Sequence, residues 1–135
     1  MATIATTTTS LIAFTLPSTP YSVQMARFYI RAALTYHDLD DFTADAEMVT
    51  SELVTNAIKH AGASKFGLEV MRLAGSGAVA VIVTDPSPQP PVKRDPSEDT
   101  EYGRGLNIVD ALSTSWGWRP EAPGKAVYAI LAREA

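Results

Sequence analysis

The sequence contains no cysteine, which excludes disulfides and thiolate metal sites. It has two histidines, too few for a zinc site of the usual nitrogen and sulfur ligands. No apolar run approaches the roughly 20 residues that cross a bilayer. The opening residues, "MATIATTTTS", lack the positive start and apolar centre of a secretory signal. Positive charge is also short: 11 Lys and Arg stand against 15 Asp and Glu, for a net charge of −4. With a pI near 5.0, the chain has no electrostatic case for contacting nucleic acid directly. From these absences a cytoplasmic protein is expected, acting neither at a membrane nor on nucleic acid.

What is present suits one globular domain. The 135 residues are long enough to bury a core, and 46% are hydrophobic. The Thr-rich start reads as a flexible tail over residues 1–8, leaving a single domain over 9–135. "SLIAFTLP" mixes β-branched and aromatic residues and stops at Pro17, as an edge strand does. From Ser22, a plausible N-cap, the spacing of Val23, Ala26, Ile30, Ala33 and Leu34 predicts a helix. Thr43 can cap a second helix running to Ala61, with Gly62 as its stop.

"SKFGLEVMRLA" and "AVAVIVTD", joined by "GSG", predict a hairpin with a buried second strand. A polar loop follows that holds five of the nine prolines. "LNIVDALS" resumes helical spacing, and "TSWGWRP" and "KAVYAILAR" predict two last strands. Elements in this order imply an α+β fold, a two-layer sandwich in which helices cover one face of a mostly antiparallel mixed sheet.

Four stretches carry possible chemistry. In "SELVTNAIKHA", Glu52, Asn56 and His60 recur at i, i+4 and i+8, with Lys59 beside them, apart from the apolar face of Leu53, Val54, Ala57 and Ile58. The stripe is either a solvated face or a carboxylate and an amide oxygen turned to one ligand, a donor set that suits Mg2+ with substrate phosphates. Asp85, ending an apolar strand before Pro86, is either a turn former or an acceptor for an exocyclic amine. "GRGL", Gly103 to Leu106, can bring backbone N–H groups to a phosphate at a helix start. It is neither a Walker A loop nor a dinucleotide fingerprint. Trp116 and Trp118 read as strand residues packed on the core, and Gly124 and Lys125 as a tight turn. His37 is assigned nothing.

Taken in order, "ELVTNAIKHA", Asp85, the long loop, "GRGLNIVDAL" and "WGW…GKAVYA" resemble the GHKL ATPase superfamily. Within it the chain resembles the small single-domain proteins of the anti-sigma-factor serine/threonine kinase type found in actinobacteria, over nearly its whole length. The resemblance implies the Bergerat ATP-binding fold, ATP and Mg2+ as ligands, and a lid at about residues 86–102. It implies that Asn56 binds Mg2+, that Glu52 polarises the attacking group, and that Asp85 reads the adenine amine. Gly103, Arg104, Gly105 and Leu106 match the glycine box, and Lys59 and His60 fall near the phosphates.

The chain departs from the family after the strand. Where Asp-x-Gly-x-Gly is usual, "DPSPQPP" keeps Asp85 but replaces the glycines, and proline supplies no N–H. Three functions follow from the resemblance. One is a kinase that phosphorylates a Ser or Thr of an anti-anti-sigma factor. Another is a module that sequesters a sigma factor or similar regulator under nucleotide control. The third is a detached ATP domain of a sensor histidine kinase, disfavoured because no helix with a phospho-accepting His is present. A homodimer is the family's implication for assembly.

Overall fold

The computed structural model describes residues 8–62, 64–91 and 101–133, and within them every side chain but those of residues 60–61 and 101–105. Its sheet has five strands: β1 (Thr8–Pro17), β2 (Lys65–Leu73), β3 (Ala78–Asp85), β4 (Ser115–Glu121) and β5 (Gly124–Leu131). Their spatial order is β1-β2-β3-β5-β4, and all four pairings are antiparallel. The sheet is antiparallel throughout, in keeping with the mostly antiparallel layer expected, and short turns join the neighbours β2–β3 and β4–β5. β1 takes the edge position expected of it.

β3 is central and buried on both faces, which is why its sequence is a continuous apolar run. Val79, Val81 and Val83 point to one face, joined there by Leu68, Val70, Val127 and Ala129 in the main core. Ala80 and Ile82 point to the other, where Ala126 and the half-buried Met71, Leu73, Tyr128 and Ile130 form a smaller cluster.

Three α-helices, α1 (Pro20–Tyr36), α2 (Thr43–Ala61) and α3 (Glu101–Leu112), contribute to the main core. α1 places Ala26, Ile30, Ala33 and Leu34 inward at helical spacing. Its N-cap falls three residues before the expected Ser22. Thr19 holds the extended N-cap position and Pro20 opens the helix, where its fixed φ fits and its missing N–H costs nothing. Ser22 is buried, its hydroxyl 3.1 Å from that of Thr19.

Thr43 is likewise inside α2 rather than capping it. A short 3-10 turn, Asp40–Phe42, leads into the helix, and the Thr43 hydroxyl is buried without a hydrogen-bond partner. The far end matches expectation: Gly62 adopts φ 63°, a left-handed C-cap that glycine reaches without strain.

α2 is the middle helix, packed against both α1 and α3 and against the sheet. Glu47 fastens it to α1. Its carboxylate, largely buried, accepts two bonds from Arg31 at 2.7 and 3.1 Å, and Arg27 lies 3.7 Å away. Trp116 packs against the main core and donates its indole N–H to Asp110 at 3.0 Å. Trp118 does not pack as expected. It is 39% exposed, because β4 is the outer strand and offers it no neighbour on one side.

Candidate functional site

At about 100° per residue, Asn56 lies roughly 180° around α2 from Glu47, and Glu52 roughly 140°. Glu47 faces α1, so Glu52 and Asn56 occupy the opposite flank, toward α3. Both are half-buried, one helical turn apart, at the rim between core and solvent. The apolar residues Leu53, Val54 and Ala57 hold the helix against the sheet and set that orientation.

Burial raises the Glu52 pKa above the ordinary glutamate value, and the positive charge of Lys59 partly opposes the rise. A carboxylate of raised pKa is a stronger base in its ionised form. Lys59 is exposed, and the His60 side chain lies outside the described residues.

Asp85 ends β3 on the helix-covered face of the sheet, with its side chain 3% exposed. Its Oδ1 accepts the Ser87 N–H at 2.8 Å, an Asx turn that folds the chain back after Pro86. The same oxygen accepts from Lys125 Nζ at 3.0 Å, and Lys125 also donates to the Ser87 carbonyl at 3.3 Å. Lys125 therefore belongs to the Asp85 cluster and not to the tight turn expected of it. The turn falls at Ala122 and Pro123, and β5 already begins at Gly124. The ion pair follows from sheet register, since Asp85 and Lys125 are opposite one another in the β3–β5 ladder. A Lys two residues after a hairpin proline was the available signal, but nothing local linked it to Asp85.

The glycine box also sits differently. α3 begins at Glu101, so Gly103 and Gly105 lie in its first turns and not in a loop before it. The first N–H groups of a helix have no intrahelical acceptor, and those of residues 101–103 fall in this class. Leu106 is fully buried and anchors α3 in the core. Its side chain is unavailable to a ligand. The Arg104 side chain lies outside the described residues, as do residues 92–100, most of the expected lid.

The carriers of these groups touch one another: α2 packs against α3, which bears the glycines, and against β3 and β5, which bear Asp85 and Lys125. A cavity of about 450 Å³ opens beside Asp85, but Thr15, Lys65, Gly67 and Thr84 place it at the sheet end near β1, without Glu52 or Asn56.

Among the described residues no group of three or more His, Cys, Asp and Glu side chains could hold a metal by itself. The available donor set, one amide oxygen beside one carboxylate, fits a Mg2+ that takes its remaining ligands from phosphate and water. No helix among the described residues is long and apolar enough to cross a membrane.

Residues 16–131 match the model of the histidine kinase-like ATPase domain, and the chain belongs to that family. A relative from Streptomyces coelicolor, an uncharacterized protein, is 35% identical over 79 residues, 57% of this chain and 75% of its own length. A solved structure from Mycobacterium tuberculosis, of a protein with RsbU and RsbW domains, superposes with a TM-score of 0.68 at 24% identity. That match covers 92% of this chain but only 33% of the Mycobacterium chain, and it establishes the shared fold. Membership of an ATPase family implies ATP binding.

Proposed function

We propose that the protein is an ATP-dependent regulatory kinase, transferring phosphate from Mg–ATP to a Ser or Thr of a protein antagonist of the anti-anti-sigma-factor kind. The observation that carries this reading is the pairing of Glu52 and Asn56 on the half-buried flank of α2 that faces α3. A bare nucleotide-binding surface has no need of an acid of raised pKa beside the metal-binding amide.

The residues divide the work. Asp85 accepts the exocyclic amine of the base, and the unpaired N–H groups of α3's first turn face the phosphates. Asn56 offers its side-chain oxygen to Mg2+. When bound, the metal neutralises phosphate charge. Glu52 accepts the proton of the acceptor hydroxyl as that oxygen bonds to the γ-phosphorus and the bond to ADP breaks. Positioning and electrostatics supply the acceleration. This reading assigns Lys59 and His60, three and four residues after Asn56, and Arg104 of the glycine box to the phosphates.

The test is Glu52→Ala with a radiolabelled nucleotide and the cognate antagonist. ATP binding is retained and phosphotransfer is lost; unchanged turnover sinks the assignment. A second reading, capture of a sigma factor without phosphotransfer, is favoured by the exposed Tyr21, Phe28 and Tyr36 on α1, a surface suited to a protein partner. Partner capture by wild type without any labelled product would select it. A homodimer and a cytoplasmic location are part of the same proposal.

A further inference from the structure

Asp85 alone would be a poor discriminator of bases. A carboxylate only accepts hydrogen bonds, so it can take an N–H from adenine or from guanine. The structure gives it a partner. Lys125 reaches across from β5, buried to 6% side-chain exposure, and the two charges neutralise one another at 3.0 Å. Burying an ammonium is costly without such compensation.

The pairing leaves capacity on both sides. The bonds described for Asp85, from Lys125 and from Ser87 N–H, converge on Oδ1 and not on Oδ2. The ammonium carries three N–H groups, of which Asp85 and the Ser87 carbonyl take two. An acceptor thus stands beside a fixed donor. Gly124 permits this approach: a Cβ there would collide with the Asp85 carbonyl and with Pro86, pushing β5 and Lys125 away.

We infer that Lys125 is a specificity-determining residue of the nucleotide site, donating to ring nitrogen N1 of adenine while Asp85 accepts from the neighbouring amine. This inference rests on the ATP-binding reading of the preceding subsection. Adenine presents a donor, its amine, next to an acceptor, N1. Guanine and hypoxanthine present the reverse, a carbonyl next to a protonated N1. In one pose, the Asp85–Lys125 pair satisfies both groups of adenine and opposes both groups of the other two bases.

The test is calorimetric titration of the full chain with Mg–ATP and with Mg–1-deaza-ATP, which has a C–H in place of N1. Wild type binds the deaza nucleotide roughly tenfold or more weakly, the loss of one charge-assisted hydrogen bond. Lys125→Met binds the two alike. Equal binding of both by wild type overturns the inference, and that comparison needs no variant to fold. A Lys125→Met protein that keeps the wild-type ratio also overturns it, and assigns the lysine to holding the Pro86–Ser87 turn. Failure of wild type to bind either nucleotide overturns the ATP reading itself, and the inference with it.

Discussion

Gly124 faces the backbone of Asp85 so closely that any side chain at 124 would strike the Asp85 carbonyl. The contact is backbone against side chain, which cannot be relieved by a rotamer change. Gly124→Ala should therefore destabilise the protein by about 1–3 kcal/mol, the usual cost of overpacking. Urea denaturation measures it, and affinity for ATP should fall in the same variant because the Asp85 end of β3 must shift.

Glu52 gives a pH-dependent expectation. Its folded pKa is raised, so the native state favours the protonated form. The stability this group contributes is complete below the ordinary glutamate value, about 4.3, and is lost as pH rises through the raised folded value. Glu52→Gln should raise the Tm at neutral pH, and the two proteins should converge below about pH 4. Thermal unfolding across that range checks it. The acid limb of the wild-type phosphotransfer profile should also sit above the ordinary glutamate range.

Glu47 tests the α1–α2 junction. Its carboxylate is nearly buried, but Arg27 and Arg31 are about half exposed, with side-chain exposures of 49% and 59%. Glu47→Gln should lower the Tm, and the difference should shrink at high salt as the arginine side of the contact is screened.

Leu106 separates anchoring from ligand contact within the glycine box. Being fully buried, Leu106→Ala should cost about 2–5 kcal/mol of stability. If the α3 backbone keeps its place, ATP affinity below the unfolding transition should change little. Paired denaturation and binding measurements check both halves.

How far these elements could be read in advance depended on how local their causes are. β3 was legible because an unbroken apolar run ending in Asp reads as a strand buried on both faces. The Glu52–Asn56 stripe was legible because helical period alone puts the two on one flank. The start of α1 was misplaced because Pro20 reads as punctuation when it is in fact a helix opener. Trp118 was assigned to the core because its strand pattern does not reveal that β4 is an edge. Lys125 was missed for a deeper reason. Its ion pair joins residues 40 apart, brought together only by the β3–β5 register.

The central claim is that α2 presents a metal-binding amide to a nucleotide. The most direct measurement is calorimetric titration with ATP in the presence and absence of Mg2+, on wild type and on Asn56→Ala. The account predicts saturable, Mg2+-enhanced binding by wild type, with the enhancement lost in the variant while its thermal unfolding is nearly unchanged. No binding by wild type, or equal Mg2+ enhancement in Asn56→Ala, would contradict it.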